Sequence, residues 1–145
     1  MRSSLRIARP WLARAPAVLL VCVTVLATSP VLADPVGECQ TATTNQVATN
    51  QCLQNTLAAA QHVLDLSLQR AQEKADSLDE VTGRTEARPA LDQSQSDWMT
   101  LLQSNCAVRG AFAGGASGSG QFIAACAIQM TRLRAEELNA LSSGA

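Results

Sequence analysis

The sequence predicts an all-α protein: a small antiparallel three-helix bundle, built as a long helical hairpin plus a third helix and stapled by two disulfides. Three observations carry this expectation. Apolar residues between Leu53 and Leu78 recur at steps of three and four, the period of a helix face and not of a strand. Glycine and proline punctuation cuts the chain into three such segments. Four cysteines, Cys39, Cys52, Cys106 and Cys126, follow an N-terminus that reads as an export signal.

That signal has three parts. Arg2, Arg6, Arg9 and Arg14 form a basic start without an acid, and Ala15 to Ala27 is almost unbroken apolar sequence. Thr28, Ser29 and Pro30 end the run, and Val31-Leu32-Ala33 places small residues before a cleavage point after Ala33. The apolar run, about 13 residues, is shorter than the roughly 20 that span a bilayer. Neither Cys22, inside the run, nor Cys39, after Gly37-Glu38, has the small-residue context of a lipidated cysteine. Residues 1–33 are therefore expected to be a cleaved secretory signal peptide and residues 34–145 a single helical domain, exported to a periplasmic or extracellular location. That domain keeps seven basic residues against twelve acidic ones, a net charge of −5. An acidic surface disfavours nucleic acid and anionic membrane and suits a basic partner.

Asp34 to Thr49 is polar and reads as an irregular lead-in carrying Cys39. A helix is expected from about Asn50, capped by Thr49 or Asn50, with Leu53, Leu57, Ala60, Leu64, Leu68, Ala71, Ala75 and Leu78 on one seam. It runs about 28 residues, roughly 40 Å at 1.5 Å per residue, and needs partners alongside. Val81 to Thr85, centred on Gly83, reads as a turn. Pro89 suits the first turn of a second helix, whose inner face holds Leu91, Ser94, Trp98, Leu101 or Leu102, and Asn105. Trp98 is expected to anchor the core. Gly110 to Gly120, five glycines in eleven residues, reads as a loop. A third helix follows from about Gln121 to Leu141, turning Ile123, Cys126, Met130, Leu133, Leu138 and Leu141 towards the bundle.

Four cysteines allow three pairings, and all four fall at one end of the expected bundle, so topology excludes none. The local pairs, Cys39–Cys52 and Cys106–Cys126, are favoured. Each would stabilise the domain by roughly 3 kcal/mol through loop entropy. The second closes the glycine-rich loop and presents its tip as a projection.

Little in the chain suggests catalysis. His62 is the only histidine and has no nucleophile arranged with it, and the cysteines contain no CxxC pair for zinc. Asp76, Asp79, Glu80, Asp92 and Asp97 are spaced as solvated acids on helices. No catalytic residue, metal or cofactor is expected.

In order and spacing, Cys39, Cys52, Gln95-Ser96-Asp97-Trp98, Cys106, Gly114-Gly115, Cys126 and Thr131-Arg132-Leu133-Arg134 with Leu138 form a pattern. It resembles the family named after the lysozyme inhibitor LprI, over about Cys39 to Leu138. The resemblance implies a disulfide-stapled helical fold, lysozyme as a protein partner, and Gln95, Trp98, Thr131 and Arg134 as family-motif positions. The chain departs from that pattern where relatives often carry an arginine followed by an acid. Leu102 and Gln103 stand there, and no tyrosine is present. Two functions stay open: inhibition of a basic muramidase without catalysis, and an exported helical interaction module with a different partner. For the first, the loop residues Gly114, Gly115, Ser117 and Ser119 are the candidate contact, since small residues suit a narrow cleft and hydroxyls can reach a carboxylate.

Overall fold

Asp34 begins the described part of the chain. The computed structural model describes residues 34–115 and 118–144, so the expected signal peptide and Ser117 lie outside the described residues. Four helices follow in order, α1 (Pro35–Ala42), α2 (Gln46–Thr82), α3 (Ala87–Phe112) and α4 (Ser119–Ser143), with no strand among the described residues. The all-α bundle and its two disulfides are as expected. One difference is that the lead-in is not irregular. Asp34 accepts a hydrogen bond from the Val36 N–H, and Pro35 occupies the first turn, where its missing N–H costs nothing, so a short helix forms.

The start of α2 also lies earlier than Thr49 or Asn50. Asn45 is the cap, its Oδ1 accepting from the Ala48 N–H at 2.9 Å. Thr49 is buried instead, and its hydroxyl meets that of Thr43 at 2.8 Å, tying α1 to α2. With 37 residues α2 is about 55 Å long. It ends at Gly83, whose φ of +66° permits the chain reversal after a last turn closed by Gly83 N–H to Glu80 O and Arg84 N–H to Asp79 O. Asp79 then caps the next helix from across the turn. Its carboxylate accepts from the N–H groups of Glu86, Ala87 and Arg88 at 2.9–3.1 Å.

The main packing surface is between α2 and α4, not within the α2–α3 hairpin. The two run parallel: Gln121, early in α4, donates to Asn50, early in α2, while Leu138 packs with Ala71 and Ala75 further along. Alanines on the seam (Ala60, Ala71, Ala75, Ala125, Ala135) let the backbones approach closely. Two apolar clusters result. One joins Leu64, Ala71, Ala75, Leu91, Ala135 and Leu138, with Trp98 half-buried against it; the other joins Cys39, Leu53 and Ile128. The expected α2 seam is inside except at its end, where Leu78 is 44% exposed. On α4 the inner face is narrower than the sequence suggests: Leu133 and Leu141 are more than half exposed and Ile123 packs only at its edge, whereas Ile128, Thr131 and Ala135 are buried. Close alanine-mediated contact leaves room for only a thin stripe of side chains.

Candidate partner-binding surface

Cys39 bonds Cys52 and Cys106 bonds Cys126, with Cα–Cα distances of 5.7 and 5.5 Å. Both bridges sit at the end of the bundle where α3 passes into α4. Met130 Sδ lies 3.9 Å from each sulfur of the second bridge. One turn beyond Cys106, Gly110 is buried on α4, where a Cβ would come within 2.6 Å of Ile123 Cγ1 and Cδ1. Only glycine allows this approach without moving Ile123. Helix α3 thus continues through Gly110 to Phe112, and the loop is shorter than the expected 110–120. Gly114 and Gly115, with φ of +72° and +66°, make the reversal, and Ser119 is already the first residue of α4.

The family-motif positions come together elsewhere, inside the bundle. Arg134 is buried, its side chain 4% exposed. It donates from Nε to Gln95 Oε1 at 3.1 Å, from Nη2 to Ser94 Oγ at 2.9 Å and from Nη1 to Glu137 Oε2 at 2.8 Å. The guanidinium therefore ties α3 to α4 with its charge satisfied. Thr131, one turn earlier, is also buried. Gln95, Trp98 and Thr131 line one groove between α2 and α3, about 470 Å³ in volume and floored by α4. Leu102 extends its apolar wall.

Among the acids, Asp76 and Asp92 both bind Arg88, at 2.7 and 3.0 Å. Hydrogen bonds from the Arg88, Ala87 and Glu86 N–H groups hold Asp79 below the usual carboxylate range. A hydrogen bond from Gln72, then the Arg88 contact, does the same for Asp92. Carboxylates held ionised in this way serve the helix junction. His62 is exposed on α2.

The charge distribution bears most directly on partner binding. Residues 39–64 contain no acid, lysine or arginine, and residues 98–131 contain Arg109 alone. The bridged end thus carries few charges, Arg109 and the Arg132-paired Glu38 among them, while six of the twelve acids lie around the α2–α3 turn. Large apolar side chains lie open at the neutral end: Phe112 is 89% exposed, Val108 54% and Phe122 53%. Phe112 and Phe122, which the loop and core assignments passed over, are the chain's only phenylalanines and flank the glycine turn. That placement was readable from the sequence.

Comparison with curated proteins and with solved structures gives no match. A family model described as lysozyme inhibitor LprI matches residues 38–138, the span holding both bridges, Trp98 and Arg134, and the chain belongs to that family.

Proposed function

We propose that the protein is exported, that cleavage after Ala33 leaves Asp34–Ala145 as a single helical domain, and that this domain binds a lysozyme and blocks it without chemistry of its own. Family membership across residues 38–138 is the observation that carries the reading. Two disulfides support an oxidising compartment. No helix among the described residues is long and apolar enough to cross a membrane. A net charge of −5 on the mature chain favours encounter with a basic lysozyme over nucleic acid or anionic membrane. The contact surface in this reading is the bridged tip: the end of α3, the Gly114–Gly115 turn, and Ser119 with Ser117 two residues before it in the chain.

Purified mature protein should lower the rate of a muramidase assay at micromolar concentration and hydrolyse no cell wall when alone. Absence of inhibition for every lysozyme class at low salt refutes the reading. The open groove beside Trp98, walled by Leu57, Leu64, Leu68, Met99 and Leu102, favours a second reading, an interaction module for an apolar helix or peptide. A pull-down with immobilised lysozyme separates the two: retention supports inhibition, and failure to bind leaves the module.

A further inference from the structure

We propose that Arg109 and Phe112, on the last turn of α3, are the side chains that enter the partner's carbohydrate groove. The proposal rests on the reading that the protein blocks a lysozyme, and it names the part of the surface that does so.

Arg109 is the sole charged residue from Trp98 to Thr131. It is exposed and takes part in none of the ion pairs among the described residues. Phe112 lies three residues on, so the two side chains are helix neighbours. Cys106 and Gly110 turn towards α4, which places Val108 and Phe112 on the opposite side of α3, facing outward. Phe112 is the most exposed large hydrophobic among the described residues. The tip is also held in shape before any partner arrives. The Cys106–Cys126 bridge and the Gly110–Ile123 contact fix α3 on α4 just behind it, so little freedom is lost on docking.

The chemistry of the groove matches this tip. Enzymes that cleave glycosidic bonds carry two carboxyl groups flanking the bond and stabilise a cation-like transition state between them. A guanidinium is a planar, delocalised cation whose fork of N–H donors fits a carboxylate in bidentate fashion. An acidic tip would be repelled there. Glu38, beside the first bridge, is paired with Arg132 at 3.6 Å. Six of the twelve acids, Glu73, Asp76, Asp79, Glu80, Glu86 and Asp92, lie instead around the α2–α3 turn, with Asp76 about 35 Å along α2 from Cys52, several Debye lengths away at physiological salt. They can bias the encounter and still leave the contact to a neutral tip with one positive charge.

Inhibition constants against a basic lysozyme test this with the disulfide-intact mature chain. Arg109→Glu and Phe112→Ser should each raise the constant about thirtyfold, the effect of an interface hot spot, with unchanged helical signal and melting temperature. Arg109→Gln, the milder change, should fall between wild type and Arg109→Glu. The double variant Glu73→Gln/Glu80→Gln, at the far end, should stay near the wild-type constant. If wild type inhibits and the tip variants inhibit equally well, the tip assignment is overturned while the lysozyme reading stands. If only the far-end double variant loses inhibition, the acidic end is the contact. Failure of wild type to inhibit any lysozyme overturns both.

Discussion

Replacing Arg134 tests whether the family motif maintains the fold or touches the partner. Arg134→Ala removes three hydrogen bonds from a charged donor, each worth about 1.5–3 kcal/mol when lost without compensation. Compensation is partial. Ser94 is exposed and the Glu137 side chain is 61% exposed, so both regain water, whereas Gln95 stays half-buried. Truncation also leaves the space of a buried aliphatic stem unfilled. The net cost should be about 3 kcal/mol, a large share of the 5–15 kcal/mol typical of a domain. Arg134→Met keeps the stem and removes the buried charge, and should cost about 1 kcal/mol. Urea titration followed by circular dichroism reads both, as a shift in midpoint at constant slope. Inhibition by the folded fraction should not change. An Arg134→Ala protein of wild-type stability would refute the argument, as would one that stays folded yet no longer binds.

Removing the second bridge with Cys106→Ser/Cys126→Ser should cost about 3 kcal/mol, from the entropy of a loop with a sequence separation of 20, measured by the same titration. Leu138→Ala, at a site with no exposure, should cost about 2–5 kcal/mol, while Leu133→Ala, 52% exposed on the same helix, should change the urea midpoint little. Acid should destabilise the domain through Asp79 and Asp92. Their folded values are depressed, so the unfolded chain binds more protons in acid, and the stability they contribute is complete above the ordinary carboxylate range and lost as pH falls through the depressed values. Melting temperature against pH should therefore hold steady near neutrality and drop in acid. Asp79→Asn should lower the plateau and flatten the drop; an unchanged acid limb would show that the cap is not coupled to folding.

The parts of the fold governed by periodicity were legible: three long helices, the α2 seam from Leu53 to Ala75, and Trp98 against the core; the favoured local pairing of cysteines also holds. Helix α1 was not, because Pro35–Ala42 has no apolar stripe; its signal was the Asp34-Pro35 pair, a cap followed by a first-turn proline. The exposure of Leu133 and Leu141 was hidden for another reason. A one-dimensional pattern ranks leucine above alanine, but the buried stripe of α4 runs through Ile128, Thr131, Ala135 and Leu138, and Leu133 and Leu141 fall outside it. The resemblance marked Arg134 as a motif position, but its burial depends on acceptors that α3 brings from forty residues away. The tip was partly misread because glycine count defined the loop. Gly110 belongs to a helix–helix contact, and moving the loop start past it puts Arg109 and Phe112 on a firm helical turn.

The two ends of this bundle are fastened by different means. Around the bridged tip the ties are covalent; around Gly83 they are an ionised cap and the Arg88 ion pairs. The molecule therefore has two separate environmental sensitivities along one axis. A reductant loosens the tip and leaves the turn intact, whereas acid or concentrated salt frays the turn while the tip keeps its shape. Amide hydrogen exchange should show this as a gradient, fastest near the α2–α3 junction in acid and shifting to the α3–α4 junction once thiols are added. Such a protein can lose the order of its charged half in a harsh medium and still present the same side chains at the other end.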